Sequence, residues 1–393
     1  MMRGENIICI SSIDWDFNWQ GHQEIMSAFA AAGNQVLFIE NTGVRTPTWR
    51  DWPRLQKRLA NGLGNEQGFR QVQERLWVYS PLLLPFPFLQ MVHGWNRRIL
   101  EGAIRKWLRM VNGSHPILWI FLPTQLAVDL MDRIPHSLAV YYCIADFGKL
   151  AQRPEQLLRS ERELIQKSDL VFAQGEDLRK KAAPLNPNTH IFPFGVQWST
   201  FERFRGNNRH ELPEDIRHLK KPLIGYVGGL HRHIDFEILR EMARRQPQWS
   251  LVLIGPRLTD LSYLTGIDNV VLLGEKKFGD LPAYIDAFDV CLIPYVISSY
   301  TMTVYPTKLN EYLAMGKPVV STALPEVTAY NERYGSLVSI AQEPAQWVEK
   351  VEEALMEKDP DLVKRRLAAA QDNSWENRIE QMSRLMEGQP CPV

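Results

Sequence analysis

Short apolar runs alternate with amphipathic stretches along the whole chain, and this alternation constrains the fold more than any other feature of the sequence. The strand-like runs of the first half are NIICISSI, QVLFIEN, LWVYS, PILWIFLP, LAVYYCI, DLVFAQ and THIFPFG. A second set begins after Lys221, with PLIGYVGGL, SLVLIGP, NVVLLGE, DVCLIPY, KPVVST and SLVSI. Strands separated by helices in this way are typical of parallel sheets covered on both faces. The sequence therefore predicts an α/β protein with two doubly wound sheets.

Length and charge agree with an enzyme of two domains. The chain of 393 residues is longer than the limit of about 250–300 residues for a single core. Its 45 basic and 45 acidic residues balance, which argues against a nucleic-acid partner. The sequence has no apolar run long enough to span a bilayer, and its polar N-terminus is untypical of a signal peptide. We therefore expect a cytoplasmic protein.

The cysteines and acidic residues predict neither disulfides nor a metal cofactor. The four cysteines, Cys9, Cys143, Cys291 and Cys391, are far apart in the sequence, and the first three lie in apolar strand-like runs. They are interpreted as reduced residues, mostly in the core. No closely spaced pair of aspartates follows a strand in a context suited to a metal, so we expect no cofactor.

The segment Tyr305–Thr322, with the sequence YPTKLNEYLAMGKPVVST, predicts a phosphate site. Pro306 suits the first position of a helix, and Gly316 suits the position just past its end. Lys308 and Glu311 are three residues apart, so they share one face of the first turns, close to unpaired backbone N–H groups. A lysine at this place favours a diphosphate, and the neighbouring carboxylate can accept hydrogen bonds from a ribose diol.

This segment resembles the donor-site helix of nucleotide-sugar glycosyltransferases with the two-Rossmann GT-B fold, especially the glycosyltransferase group 1 family. Glu311, Gly316 and Pro318–Val320 match the second half of the family pattern, and Tyr305 precedes them as a further candidate nucleotide contact. The first half departs from the pattern, because Thr303 stands where the family carries an acidic residue. The helix is most similar to a branch that includes teichuronic acid glycosyltransferases and the glucuronosyltransferase of xanthan synthesis.

The resemblance implies domains with different roles. Residues 1–205 would form a Rossmann-like domain that binds the acceptor, and residues 206–372 would form a second one that binds the nucleotide-sugar. Residues 373–393 would form a helix that crosses back to the first domain. The polar stretch 201–220 has no strand period and is interpreted as the linker.

A glycine-rich turn is a second candidate for contact with the phosphates. Gly228 and Gly229 follow the first strand of the second set, so the backbone can approach a phosphate with no Cβ in the way. His231 and Arg232 come just after the glycines and are candidate partners of the diphosphate.

The turn GEKKF is expected to recognise the base. In the family such a turn reads the base edge with backbone groups, while an apolar side chain covers the ring. Phe278 is the candidate for that cover, and Lys276 and Lys277 are interpreted as solvated. The choice between uracil and guanine stays open.

Asp146 is the candidate general base, and His22 is the second candidate. An acceptor hydroxyl that attacks an anomeric carbon must lose its proton, and a carboxylate within hydrogen-bond reach can take it. Asp146 follows the run VYYCIA, at the strand end where open α/β sheets place their functional loops. Lys308 would compensate the charge of the departing diphosphate without a metal. The resemblance implies an inverting direct displacement, across a cleft that closes between the domains.

The loop after the first strand carries polar and aromatic residues that are candidate acceptor or sugar contacts: Asp14, Asp16, Trp19 and Gln20. The resemblance places such a loop at the cleft. Trp15 and Trp19 can equally well be packing residues, and this alternative stays open.

Residues 45–110 combine basic helical residues with bulky apolar ones, a composition that suits the surface of an anionic bilayer. Packing of these helices on the sheet, with the arginines in water, explains the same composition. A peripheral contact with the inner membrane face is expected if the acceptor is linked to a lipid.

The resulting hypothesis is a metal-independent glycosyltransferase. It would move a sugar from a nucleotide diphosphate sugar, with UDP favoured, to a hydroxyl of a lipid-linked or polysaccharide acceptor. Two alternatives stay open, namely a GT-B nucleotide-sugar epimerase and a nucleotide-sugar-binding protein without catalysis.

Overall fold

The computed structural model describes residues 1–16, 19–41, 68–84, 90–147, 154–206 and 211–388. The chain separates into two compact units, of which the first comprises Met1–Pro193 with Ile379–Val393 and the second Phe194–Arg378. The division falls before the predicted boundary at residue 205 and after the one at residue 372.

The first unit contains an eight-stranded sheet. Its strands are β1 (Asn6–Ile10), β2 (Gln35–Ile39), β3 (Arg70–Gln73), β4 (Leu76–Tyr79), β5 (Ile117–Ile120), β6 (Leu138–Cys143), β7 (Leu170–Ala173) and β8 (Thr189–Ile191). Their order is β3-β4-β2-β1-β5-β6-β7-β8, and all neighbours are parallel except β3 and β4. Every strand predicted in this half is confirmed, whereas β3 was missed because its sequence RQVQ has no apolar run.

The helices of the first unit cover the sheet and complete the crossovers between its parallel strands. They are α1 (Gly21–Ala31), α2 (Gln90–Met110), α3 (Gln125–Arg133), α4 (Pro154–Lys167) and α5 (Glu176–Ala182). The N-terminus is tied to the C-terminal segment of the same unit, since the amino group of Met1 lies 2.6 Å from Glu380 and the Met2 N–H donates to Ser383.

The second unit contains a six-stranded, fully parallel sheet. Its strands are β9 (Leu223–Val227), β10 (Ser250–Ile254), β11 (Val270–Gly274), β12 (Val290–Ile293), β13 (Val319–Ser321) and β14 (Val338–Ile340). Their order is β11-β10-β9-β12-β13-β14, which is the order of a Rossmann sheet. The order reverses between β9 and β12, so the carboxyl ends of these two strands mark the expected ligand site.

Helices surround this second sheet. They are α6 (Trp198–Gly206), α7 (Phe236–Arg245), α8 (Leu281–Ala287), α9 (Lys308–Ala314), α10 (Pro325–Tyr334), α11 (Pro344–Met356) and α12 (Pro360–Asp372). The last helix, α13 (Trp375–Met386), begins in the second unit and continues into the first, which includes Ile379–Val393. Gly225 in β9 permits close packing, because a Cβ there would lie only 2.0 Å from the ring of Phe288.

The interpretation of residues 201–220 as a linker is wrong for part of that stretch. Residues 201–206 belong to α6, and Phe201 is fully buried in the core of the second unit. The helical character was hidden because charged residues surround the single buried aromatic of this segment.

Candidate functional site

Lys308 lies at the expected switch point of the second unit. Its side chain is buried, and its Nζ donates a hydrogen bond to the hydroxyl of Tyr295, 2.6 Å away, just after β12. The same Nζ lies 5.2 Å from the ring centroid of Tyr226, in β9, and 4.7 Å from that of Tyr295. The cation is therefore held between two aromatic rings by the hydrogen bond to Tyr295 and by cation–π attraction.

The surroundings keep Lys308 charged. Burial alone lowers the pKa of Lys308, but its interactions with Tyr226, Tyr295 and Glu311 outweigh burial and raise the pKa above the ordinary value. Burial also raises the pKa of Tyr226 to about 12, although Lys308 opposes this shift. At neutral pH the site therefore contains a lysine cation beside the neutral phenol of Tyr226.

Gly228 brings the predicted glycine turn into contact with this lysine. Its φ of 146° lies in the region that favours glycine. A Cβ at residue 228 would lie 2.9 Å from Cε of Lys308 and 2.8 Å from the Tyr226 hydroxyl. The absence of a side chain therefore keeps the backbone beside the cation open.

Glu311 presents a half-buried carboxylate next to Lys308. Within the described part of the chain no hydrogen bond or ion pair satisfies this carboxylate. Burial raises the pKa of Glu311 above the ordinary value, and the charge of Lys308 offsets part of that rise. The half-buried carboxylate can therefore accept hydrogen bonds from a ligand that supplies hydroxyl donors.

The helix that carries both residues is shorter than predicted. It begins at Lys308 and not at Pro306, because the N–H of Leu309 closes a tighter turn onto the Pro306 carbonyl at 2.9 Å. The predicted stop at Gly316 is confirmed by its φ of 69°.

Tyr305 is directed into the interior. Its hydroxyl accepts a hydrogen bond from the side-chain amide of Asn310 at 2.7 Å, and its side chain is almost fully buried. Burial raises the pKa of Tyr305, with smaller opposing contributions from Arg378 and Asn310. A direct contact with the nucleotide stays a prediction.

His231 is close enough to Lys308 for their charges to interact. Its Nδ1 accepts from the backbone N–H of His233 at 3.3 Å, so the neutral ring carries its proton on Nε2. Burial, followed by the charges of Lys308 and His233, lowers the pKa of His231. Arg232 is exposed, and its guanidinium has no hydrogen-bond or ion-pair partner among the described residues.

Backbone hydrogen bonds connect the glycine turn with the predicted base turn. The Gly228 N–H donates to the Ile254 carbonyl at 2.8 Å, and the Gly255 N–H donates to the Gly274 carbonyl at 2.8 Å. The turn beyond Gly274 contains a 3₁₀ helix, Phe278–Asp280, and the Phe278 ring is 42% exposed. The loops that begin at Gly228, Gly255 and Gly274 therefore share one edge of the sheet. The exposed ring of Phe278 lies at one end of this edge, and Lys308 lies at the other.

In the first unit, Asp146 follows β6 as predicted. Its carboxylate pairs with Lys181, on α5, and little of its side chain is exposed. The nearby Glu161 accepts a hydrogen bond from Tyr141 at 2.7 Å. Burial raises the pKa of Glu161, with a smaller contribution from the charge of Asp146. Two carboxylates and one lysine therefore gather at the carboxyl end of β6.

His22, the second candidate for the general base, lies in the interior of the first unit. It is fully buried in α1, with its ring 4.0 Å from that of Phe121 and its Nε2 2.8 Å from the Ser12 hydroxyl. Burial lowers the pKa of His22 to about 3, so the ring is neutral at physiological pH. The residue faces inward because the first turn of α1 packs against the sheet.

The remaining candidates of the N-terminal loop are distributed between surface and core. Asp14 is half-buried, and Asp16 lies 3.1 Å from Arg70. Gln20 precedes α1, where its backbone N–H donates to Gln23. Trp19 is 53% exposed and donates from its indole to Glu24.

Trp15 is buried, and its ring packs edge-on against that of Phe38 at 5.0 Å. This supports the packing alternative for Trp15. Trp19 keeps an exposed ring.

Sequence reasoning missed the two tyrosines that hold Lys308. Tyr226 stands inside the run GYVGG and Tyr295 inside IPY, so both were counted as strand residues. The available signal was their place at the carboxyl ends of strands that become neighbours at the switch point.

Comparison with known proteins finds a family match within the second unit. Residues 221–357 match the family model described as glycosyl transferases group 1. A protein of Bacillus subtilis strain 168, named as the teichuronic acid biosynthesis glycosyltransferase TuaH, is 27% identical over 279 residues, which cover 66% of this chain and 70% of the relative.

Solved structures show the same fold over nearly the whole length. The sucrose-phosphate synthase of Thermosynechococcus elongatus has a TM-score of 0.67 at 18% identity, with 98% of this chain and 99% of that one covered. Anabaena HepE, solved in complex with UDP, has a TM-score of 0.65 at 13% identity, with 98% and 100% covered.

The two Rossmann-like units and the solved structures of similar fold define the GT-B architecture. The family model and the relative from Bacillus subtilis identify the class of enzyme as a glycosyltransferase. The chain carries a glycosyl transferases group 1 domain at residues 221–357, and enzymes of this group take their sugar from nucleotide-sugar donors. The predicted resemblance and fold class are thereby confirmed.

Proposed function

We propose that the protein transfers a sugar from a UDP-sugar to a hydroxyl of a lipid-linked or polysaccharide acceptor. The observation that carries this proposal is the arrangement of Lys308, Gly228 and Glu311 at the switch point of the second unit. A buried cation, an open backbone and an unsatisfied carboxylate match a diphosphate joined to a ribose. The UDP complex of HepE, a protein of similar fold, supports UDP as the first nucleotide to test.

Each part of the donor has a proposed partner in the second unit. Lys308 binds the diphosphate, with the Nε2–H of His231 and the guanidinium of Arg232 as further donors. Glu311 accepts from the ribose hydroxyls. Phe278 covers the base.

The proposed reaction is a single displacement. The acceptor oxygen attacks the anomeric carbon, the bond from that carbon to the diphosphate oxygen breaks, and its electron pair stays on the diphosphate. Asp146 accepts the proton of the attacking hydroxyl. Lys308 stabilises the negative charge that develops on the leaving diphosphate, so the proposal requires no metal.

Inversion of the anomeric centre follows from one direct attack. The position of the family's first acidic residue is occupied by Thr303, whose hydroxyl donates to the Tyr300 carbonyl at 2.9 Å. This side chain offers no carboxylate to the sugar, which favours a displacement without a covalent intermediate.

The donor assignment is tested by calorimetric titration of UDP, GDP, TDP, ADP and CMP in the presence of EDTA. We expect UDP to bind most tightly. The Glu311→Gln variant is expected to bind UDP about tenfold more weakly, because the loss of a hydrogen bond from a charged acceptor costs about 1.5 kcal/mol or more. The same variant should bind 2′-deoxy-UDP almost as well as wild type does, since that ligand lacks one hydroxyl of the diol.

Two outcomes would contradict this assignment. Binding of none of these nucleotides by the wild-type protein would remove the donor proposal. An equal loss of affinity for UDP and 2′-deoxy-UDP in Glu311→Gln would show that the carboxylate does not recognise the ribose.

We also propose that α2 is the part of the first unit that contacts an anionic membrane. One side of α2 carries exposed residues that recur every three or four positions. Apolar residues come at the start of this side and basic residues toward its end: Met91, Trp95, Arg98, Gly102, Arg105 and Arg109. The ring of Trp95 is 57% exposed, and Leu84, tied to this end of α2 by two hydrogen bonds to Asn96, is 47% exposed. Exposed apolar side chains beside arginines that have no ion-pair partner among the described residues suit an acidic lipid surface.

No helix among the described residues is long and apolar enough to span a bilayer. The proposal is accordingly a contact at the inner membrane surface, where a lipid-linked acceptor would be presented.

Vesicle sedimentation tests this surface. The triple variant R98S/R105S/R109S is expected to bind phosphatidylglycerol-containing vesicles about a hundredfold more weakly than wild type, since each basic residue near the surface contributes about 1 kcal/mol. Vesicles of phosphatidylcholine alone should bind both proteins weakly. The matched control is R244S/R245S, which removes two exposed arginines from α7 of the other unit. Equal binding of the triple variant and this control would overturn the membrane assignment.

A further inference from the structure

The turn after β11 needs support if it is to recognise a base. Recognition through backbone groups is effective only when these groups are held in place before the ligand arrives, because ordering a loop on binding reduces the affinity. Residues 277–280 are all exposed, and the Phe278 side chain is 42% exposed, so burial of the turn alone gives it little support.

Asp215 provides such support from outside the turn. Its carboxylate lies 2.7 Å from Nζ of Lys276, two residues before Phe278. Both of its oxygens also accept from the hydroxyl of Tyr284 at 3.0 Å, and Tyr284 belongs to α8, just after the turn. One carboxylate is therefore bonded to residues on both sides of Phe278.

The three side chains form a compact, partly shielded cluster. Nζ of Lys276 lies 5.5 Å from the ring centroid of Tyr284, and the side chains of Asp215 and Lys276 are 34% and 24% exposed. Partial burial alone would raise the pKa of Asp215, but its hydrogen bonds to Lys276 and Tyr284 lower it below the ordinary value. The carboxylate is therefore ionised at neutral pH, and the prediction that Lys276 is simply solvated is wrong.

The helix α6 supports the same turn from a second direction. The ring of Phe201 meets that of Phe278 edge-on at 6.2 Å. Arg205, on the same helix, donates to the Ala314 carbonyl at the end of α9, the helix that carries Lys308. The stretch first interpreted as a linker thus contacts both the base turn and the phosphate helix.

We infer that Asp215 is a positioning residue for base recognition, acting through Lys276 and Tyr284 on the turn that carries Phe278. This inference rests on the proposed nucleotide-sugar function. Asp215 itself does not touch the donor. Asp215 affects the affinity for the nucleoside part of the ligand and not for the diphosphate, because its contacts lie at the base turn and not at Lys308.

The test compares two ligands that share the diphosphate. UDP and inorganic pyrophosphate are titrated into wild type, Asp215→Asn and Lys276→Met. We expect both variants to bind UDP about tenfold more weakly and to bind pyrophosphate as wild type does. In turnover assays KM for the donor should rise by a similar factor, while kcat changes little. The double variant should lose no more affinity for UDP than either single variant does, since the two residues act through one ion pair.

Lys221→Met is the matched control. Lys221 pairs with Asp289 at 2.9 Å in the same unit, but at the amino ends of β9 and β12. The Lys221→Met substitution should leave the affinity for UDP and for pyrophosphate unchanged. Lys276→Met retains the Asp215–Tyr284 hydrogen bonds, so it keeps the test valid if Asp215→Asn is poorly folded.

Three results would overturn the inference. Unchanged UDP affinity in both variants would show that the cluster has no role in binding, and a parallel loss of pyrophosphate affinity would show that it supports the whole unit. Wild-type protein that binds pyrophosphate but no nucleoside diphosphate would overturn both the proposed function and this inference.

Discussion

Replacing Lys308 with methionine is expected to lower kcat by about 10²- to 10³-fold, the usual effect of removing one preorganised group that stabilises developing negative charge. Methionine keeps most of the length and volume of the side chain, so the packing against Tyr226 and Tyr295 is largely retained. The charge on the leaving diphosphate then has no buried cation to balance it. Affinity for UDP should fall in the same variant, and steady-state assays together with calorimetry measure both effects.

Lys317→Met is the matched control for this experiment. Lys317 lies just beyond the opposite end of the same helix, where its Nζ donates to the Asp286 carbonyl at 2.5 Å. Its replacement removes a lysine of the same segment without touching the site. Wild-type turnover by Lys308→Met would show that the buried cation is not part of the catalytic machinery.

Replacing Asp146 with asparagine is expected to lower kcat by about 10²- to 10⁴-fold, the range for loss of a general base. UDP affinity should stay at the wild-type value, because Asp146 belongs to the first unit and has no proposed contact with the nucleotide. The variant separates an enzyme from a protein that only binds a nucleotide-sugar, since the latter would have no turnover to lose.

The control for this second variant is Asp132→Asn. Asp132 also pairs with a lysine, Lys167, at 2.8 Å, but on the surface of α3. Similar thermal stability of the two variants would exclude a folding defect. Activity that survives intact in Asp146→Asn would exclude this carboxylate as the base.

Most of the fold was predictable because its signal is local. Parallel strands buried on both faces are continuous apolar runs, and the strand prediction failed only at β3, an edge strand with a polar sequence. Lys308 and Glu311 were predictable for a similar reason, since their spacing places them on one helix face. Gly228 was predictable because glycine adopts a φ of 146° without strain, and the turn after β9 carries two glycines.

The rest depends on contacts between residues distant in sequence. Nothing near Lys276 in the sequence indicates that Asp215, 61 residues earlier, pairs with it. The burial of His22 was not predictable for the same reason, because the ring that packs against it is that of Phe121, just after β5. Tyr226 and Tyr295 meet Lys308 only after the strand order brings β9 and β12 together.

The cation that the two tyrosines hold has a consequence for turnover. On the proposed function, Lys308 attracts the released nucleoside diphosphate at least as strongly as the incoming donor, because the diphosphate carries more negative charge after the sugar has left. The released nucleotide is then expected to compete with the nucleotide-sugar for the same buried cation.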